Sequence, residues 1–254
     1  MGITHLKKGM IRIRSEVHSE ISVRARLLSE MKNGIFAKCD RLPRETVLSD
    51  KLGISRTQLR DVLGALEQEG FVTRRLGVGT LINRHVLNVK SRMDVEAEIL
   101  DIIRNNGYEA EVQFLDAKEE SADREIAEKL QIAEGSTIIK VRKLCLADGQ
   151  PALYFEDVLD KKMIKEAYET GDLKKPIFCF LKEKCNTETY MDLTQLKAIA
   201  ADEKMSEMLN VSMGTPLLNM EEVDYDIEGK VVFYSRQFFV NGMFEQTVLR
   251  KRLY

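Results

Sequence analysis

Long apolar runs are missing from this chain of 254 residues. The longest apolar stretches are only a few residues, far short of the roughly 20 that a membrane-spanning helix needs, so no membrane partner is expected. The opening segment MGITHLKKGMIRIRSE has neither an apolar h-region nor a small-residue cleavage site, which argues against a secretory signal. Leu6 stands where a myristoylation signal requires Ser or Thr. A cytoplasmic protein is the reading. Cysteine is scarce too: Cys39, Cys145, Cys179 and Cys185 form no C-x-x-C pair, and His5, His18 and His85 precede three of them. That spacing excludes the usual zinc sites and points to reduced thiols in a core.

Catalytic patterns are equally absent. No histidine follows His85 to serve as base for a Ser or Cys nucleophile, and neither Gly-x-Ser-x-Gly nor a P-loop occurs. Gly77-x-Gly79 is too short for a dinucleotide fingerprint, Glu221-Glu222 would alternate faces in a strand, and Glu119-Glu120 adjoins a helix start. Neither an enzyme nor a cofactor or metal is expected. What is present, 44% hydrophobic and 31% charged residues, suits a packed core in one large domain or two ordinary ones.

The net charge of -2 conceals an asymmetry. Residues 1–90 hold 17 Lys+Arg against 9 Asp+Glu, a balance of +8, and the rest hold 22 against 32, a balance of -10. A basic module that meets a polyanion is implied, with an acidic module after it that does not.

Hydrophobic spacing gives the layout. Val17, Ile21, Leu28 and Met31 recur at helical spacing, and Lys32-Asn33-Gly34 supplies a basic last turn and a glycine C-cap. Past the Leu42-Pro43 breaker, Val47, Leu48 and Leu52 fit a short helix ending at Gly53. Ser55 can N-cap a third helix carrying Leu59, Val62, Leu63 and Leu66, closed by Gly70. Residues 71–75 and 80–82 read as strands joined by Gly77-Val78-Gly79. Residues 84–92 are polar and aperiodic and read as a linker between a domain at 15–83 and another at 93–252.

The second domain contains a repeat. Residues 126–155 and 205–235 each read as a short amphipathic helix, a Gly turn, a strand, a tight turn and a return strand. Gly135 matches Gly214 at an offset of 79, and Gly149 matches Gly229 at 80. Two such units predict a pseudo-symmetric antiparallel sheet with helices on a face, hence an α+β fold. Segments 94–106 and 161–184 look helical, and 108–119 and 187–198 look like further strands.

The third predicted helix carries the chemistry. Arg56 and Arg60, four apart, share a face opposite Leu59, Val62 and Leu66. Arginine can grip guanine or phosphate bidentately, while Ser55, Thr57 and Gln58 can reach phosphates or base edges. A short helix and a tight turn precede it, as in a helix-turn-helix, and the glycine hairpin supplies a wing.

These segments identify a family. Leu42-Pro43-Arg44-Glu45, Leu48-Ser49, Leu52-Gly53-Ile54-Ser55-Arg56-Thr57, Arg60, Leu66-Glu67-Gln68-Glu69-Gly70 and Gly77-x-Gly79-Thr80 resemble the winged helix of GntR-family bacterial transcription regulators. The branch it resembles is the HutC type, which carries a UTRA effector domain. The resemblance implies DNA contacts at Arg44, Thr46, Ser55, Arg56, Thr57, Gln58, Arg60, Gly77, Gly79 and Thr80. The chain departs from the family at Arg44, where Ser is common, at Thr46, where a DNA-contacting Arg is common, and at Val78, where a basic residue is common. Each lost phosphate contact makes the salt dependence shallower by about 0.9 of a log unit.

Residues 93–250 resemble the UTRA domain, similar in fold to chorismate lyase, through Ile138–Glu156 with its Ala147-Asp148-Gly149-x-Pro151 turn, Tyr234-Ser235-x-x-Phe238-Phe239, Phe244 and Thr247-Val248-x-Arg250-Lys251-Arg252. Relatives that sense phosphosugars hold the phosphate with two arginines and a Ser-x-Tyr, which fall here at Lys143 and Cys145 and at Pro176 and Phe178. Residues holding sugar hydroxyls fall near Phe155 or Glu156, at Phe233 and at Phe239. A buried phosphate would be poorly compensated, so a phosphosugar effector is not expected. Phe155, Phe178, Phe233 and Phe239 would instead wall a site for an apolar or aromatic carboxylate anchored by Arg142 or Lys143, only one of which can face it. Glu156, Asp157, Tyr190, Ser235 and Arg236 are further polar candidates. The implied protein is a ligand-responsive regulator, a repressor that binds a palindromic operator on double-stranded DNA as a homodimer. Lyase-like chemistry in the second domain, or DNA binding without an effector, are the alternatives.

Overall fold

The apolar helix positions of the first ninety residues meet in one cluster. The computed structural model describes residues 23–95 and 98–251, which form two units, 23–95 with 246–251 and 98–245. In the first unit, helix α1 covers residues 23–32, α2 is Glu45–Leu52 and α3 is Arg56–Gln68. Leu27 and Met31, Leu48 and Leu52, and Leu59, Val62, Leu63 and Leu66 close on one another with Val72 and Ile82. Each such leucine contributes about 1.5–3 kcal/mol by leaving water. Leu27 holds the core position and Leu28 packs at its edge, while Val17 and Ile21 lie outside the described residues. Gly34 is not left-handed as expected of a C-cap; the Glu30 carboxylate accepts the Ile35 N–H at 2.9 Å there instead.

Local signals set the turn between α2 and α3. Gly53 takes φ +69, and the Ser55 hydroxyl accepts the Gln58 N–H at 3.1 Å. Strands β1 (Val72–Arg75) and β2 (Gly79–Ile82) pair with Arg75 opposite Gly79.

Residues 84–92 are not a solvent linker. Arg84–Leu87 forms helix α4, with Val86 and Leu87 buried, and the Arg84 guanidinium donates to the carbonyls of Met31, Phe36 and Cys39. Arg92 lies 4.9 Å over the Phe71 ring and donates to the Glu69 carbonyl at 2.7 Å. The end of the chain joins them: Met93 N–H donates to Thr247 O at 2.9 Å, and the Lys251 ammonium donates to the carbonyls of Glu67 and Gln68. The boundary expected at 83–93 thus falls at 95–98, and 246–251 belongs with the first unit. Arginine-to-carbonyl bonds replace an apolar stripe here, so periodicity gave no sign of it.

The second unit holds α5 (Ile99–Asn105), β3 (Ala110–Ser121), α6 (Arg124–Leu130), β4 (Thr137–Ala147) and β5 (Gln150–Asp160), then β6 (Met191–Ala200), α9 (Glu203–Leu209), β7 (Pro216–Tyr225) and β8 (Val231–Val240). One antiparallel sheet runs β3-β4-β5-β8-β7-β6. The repeat is therefore strand, helix, strand, strand, and the copies meet where β5 pairs with β8. Asp123 and Asp202 cap α6 and α9 alike, accepting N–H bonds at 2.8 and 2.7 Å. Both helices cover one face, α6 over Ile138, Val158 and Tyr234, and α9 over Leu144, Tyr154 and Phe238. On the opposite face Ile139, Val141, Leu159 and Phe233 meet the segment 161–185.

The two expected long helices are shorter or broken. Only Ile99–Asn105 of 94–106 is helical, and 161–185 is a 3-10 turn at Lys161–Met163, α7 (Thr170–Leu173), α8 (Ile177–Phe180) and a π turn at Leu181–Cys185. Pro176 has no N–H to continue α7, so the chain restarts there. Among the cysteines only Cys145 and Cys185 are buried; Cys39 is half-buried and Cys179 exposed, which corrects the core reading for those two.

Arg84→Met should destabilise the first unit by about 2–3 kcal/mol, because several buried carbonyls lose a charged donor. Urea denaturation monitored by circular dichroism measures this; a shift near zero would restore the linker reading.

Candidate DNA interface and candidate ligand face

Ser55, Arg56, Thr57 and Arg60 are exposed along the first turns of α3, with Gln58 half-buried beside them. The Arg60 Nε sits 2.8 Å from Glu45 Oε2 and most of its side chain faces solvent. Glu45 opens α2, and the exposed Arg44 and Thr46 flank it, so this ion pair gathers Arg44, Thr46 and Arg60. At the wing, Gly77 and Gly79 take φ +76 and +99, conformations that side chains disfavour. Thr80 is half-buried and its carbonyl accepts the Leu42 N–H at 2.9 Å.

Three residues beside the wing were not singled out from the sequence. Arg75 is exposed opposite Gly79, the Arg41 guanidinium reaches the Val78 carbonyl at 3.5 Å, and Leu76 is fully exposed at the tip. The run Arg74-Arg75-Leu76 ahead of the glycines was the available signal. Arg74 is occupied differently, donating through Nε and backbone N–H to Glu67 at 2.7 Å each. Burial raises the Glu67 carboxyl, but these bonds and the nearby Lys251 outweigh it and hold the group below its ordinary range.

Strand alternation divides the nine ligand candidates. Lys143, Phe155, Phe233, Ser235 and Phe239 share the face that 161–185 covers, as the pairs Lys143–Phe155 and Leu153–Phe239 require. Arg142 and Glu156 point to the other face, and are corrected as partners of those residues. There Arg142 binds Glu156 at 3.1 Å and Asp116 at 3.2 Å, and Tyr154 donates to Glu156 at 2.6 Å. Phe178 comes from α8 and meets Phe233 edge-on at 6.0 Å, while Phe239 meets Phe244 at 6.3 Å. Tyr190 is exposed ahead of β6 and is not brought to the group. Arg236 lies with Tyr234 and Glu125 on the α6 side.

Asp157, buried as deeply as Ser235 opposite it, lies on this face. It is 2% exposed; Oδ1 accepts the Ser235 hydroxyl at 3.0 Å, and Oδ2 accepts no hydrogen bond among the described residues. Burial pushes its carboxyl up to about 6, resisted by Lys143 and by the Ser235 bond. Lys143 donates to the Lys175 carbonyl at 2.6 Å, and burial lowers its ammonium, opposed by Asp157, Cys145 and Glu98. Burial also pushes the Cys145 thiol up to about 12, so it is no nucleophile.

A winged helix-turn-helix with an exposed arginine face, joined to a repeated α+β sheet with buried polar side chains on one face, defines a two-domain transcriptional regulator. Residues 21–82 match the gntR family of bacterial regulatory proteins and residues 105–245 match the UTRA domain, so the chain belongs to the GntR family in its UTRA-bearing form. An uncharacterised HTH-type transcriptional regulator of Rhizobium meliloti is 26% identical over 225 residues, covering 87% of this chain and 89% of that protein. A probable fructoselysine utilization operon transcriptional repressor of Escherichia coli is 22% identical, covering 91% and 94%. The crystal structure of YydK from Bacillus subtilis, a possible transcriptional regulator, superposes with a TM-score of 0.74 at 18% identity, covering 91% of this chain and all of that one.

Asp157→Asn should gain stability relative to the parent as pH rises from about 4 to 6. The parent carboxyl, raised in the fold, favours folding fully only below its unfolded value near 3.8 and loses that contribution through about 6. Melting curves of both proteins at pH 4 and pH 7.5 test it; equal differences at the two pH values would contradict it.

Proposed function

We propose that this regulator is a cytoplasmic repressor that acts by binding alone: a homodimer on a palindromic operator, released or repositioned by a small molecule. The exposed Ser55, Arg56, Thr57 and Arg60 on α3 support operator binding through the major groove, with Arg44 and Thr46 beside them and Gly77, Gly79 and Thr80 bringing the wing to the backbone. Support for repression comes from the relative named a repressor. No helix among the described residues is long and apolar enough to cross a membrane.

The outer strand β6 supports the dimer. Its free edge carries Met191, Leu193 and Leu196 exposed, Leu193 at 63%, with Tyr190 just ahead. An apolar open edge is a template for a second strand, and a twofold pair of such edges is self-complementary. For the effector, Lys143, Phe155, Phe178, Phe233, Ser235 and Phe239 favour an apolar or aromatic body over a phosphosugar. Binding there shifts the population towards a state whose recognition helices no longer match the half-site spacing.

Fluorescence anisotropy on operator DNA tests this function. Arg60→Ala should cost about 1–3 kcal/mol on the specific site if it reads a base pair; an equal loss on all DNA would make it a phosphate contact. Ligands should be sought by thermal shift, where 100 times the dissociation constant adds about 2.7 kcal/mol. Operator affinity unchanged by every bound ligand would sink the sensor mechanism. Leu193→Glu with Leu196→Glu should turn the dimer into a monomer in native mass spectrometry and abolish cooperative binding to two half-sites; an intact dimer would place the interface elsewhere.

A further inference from the structure

The enclosed face of the sheet carries a surplus of carboxylates where a phosphate-binding site would need cations. Asp157, Ser235, Glu222 and Thr194 form a single row across β5, β8, β7 and β6, as their direct pairings show. Asp224, opposite Phe233, lies on the same face and is buried. The Glu222 carboxylate accepts the Gln237 amide and the Thr194 hydroxyl, the latter at 3.3 Å. By register Asp157, Glu222, Asp224, Asp192 and Glu119 face the same side as Lys143; Lys161 matches Glu119 at 2.6 Å, and Lys143 already donates to the Lys175 carbonyl at 2.6 Å.

Asp157 breaks the balance. It is as buried as Phe233 and more buried than Phe155 and Phe178, and Oδ2 accepts no hydrogen bond among the described residues. A buried carboxylate oxygen left unmatched is costly, and a protonated nitrogen is the group that best repays it. Phe155, Phe178 and Phe233 stand around this oxygen's row and suit an apolar body. Lys143 lies diagonally across from Asp157, one pair along the strands, and its ammonium stays with the carbonyl.

We propose that the effector of this protein is a primary amine with an apolar or aromatic body, its ammonium donating to Asp157 Oδ2 within the field of Glu222 and Asp224. The carboxylate anchored by Arg142 or Lys143, expected from the sequence, gives way to this cation. The inference rests on the effector reading above, since it names the ligand class for that same face.

The test uses the full chain and matched probes: primary amines with alkyl, arylalkyl and diamino skeletons, each beside the carboxylate of the same skeleton, for example 2-phenylethylamine beside 3-phenylpropionate. Thermal shift and calorimetry should show binding by at least one amine and not by its carboxylate. Asp157→Asn should weaken it about tenfold or more, Glu222→Gln, at a half-exposed site, should weaken it less, and Glu128→Gln on the outer surface of α6 should leave it unchanged. Binding by the carboxylates instead, an amine affinity indifferent to Asp157→Asn, or no binding by any amine overturns the inference. Operator anisotropy run in parallel separates the two readings: DNA binding that responds to a carboxylate keeps the sensor and removes the amine, whereas absence of DNA binding removes the regulator reading itself.

Discussion

Everything about the candidate ligand face depends on the antiparallel pairing of β5 with β8. Six register pairs, from Leu153–Phe239 to Val158–Tyr234, join the two copies of the repeat. Side chains alternate between the faces, so this register places Asp157 beside Ser235 and puts Glu156 beside Arg236 on the other side. A slip of one residue would exchange them, burying Glu156 among phenylalanines and exposing Asp157 to the α6 and α9 side. Apolar demand prevents the slip: Val158, Tyr154 and Tyr234 must meet the helices, and Leu159 and Phe233 must meet 161–185.

The two copies of the repeat are not covered alike. Both copies contribute a helix to the same face, each capped by an aspartate 79 residues from its counterpart. They differ in the route the chain takes beyond the last strand. After β5 the chain lays 161–185 over the opposite face, while after β8 it adds no such cover before the second unit ends at residue 245. The first copy's half is thus enclosed, and β6 at the edge of the second keeps Leu196 of that face in solvent.

Legibility tracked the range of the interactions. The ends of α2 and α3 and the wing were readable because Gly53, Ser55, Gly77 and Gly79 act within a few residues of themselves. The duplicated glycines announced the sheet for the same reason. Residues 84–92 were misread because Arg84 and Arg92 act through carbonyls far away in sequence, and polar residues without periodicity look like linker. Segment 161–185 was misread as a helix because its apolar residues answer to the sheet beneath, not to a helical face. The pair Arg142 and Lys143 was legible only as an alternative, since choosing between them needs the register of β3, β4 and β5. Asp157 gave no stronger signal than any polar residue in a strand; its meaning lies in burial and in an unmatched oxygen.

The two ends of the second unit leave it by separate routes. One runs back from α5 through residues 95–98, and the other runs forward from Val240 through Phe244 to residue 246. Phe244 packs edge-on against both Phe239 and Tyr108 at 6.3 Å, while a few residues on, Lys251 holds the carbonyls at the end of α3. Within the first unit the tail is tied down at two points: the Thr247 carbonyl accepts the Met93 N–H at 2.9 Å, and the Lys251 ammonium donates to the carbonyls of Glu67 and Gln68. Hydrogen bonds between residues far apart in sequence therefore hold the chain end against the last turn of α3, the helix that carries Arg56 and Arg60.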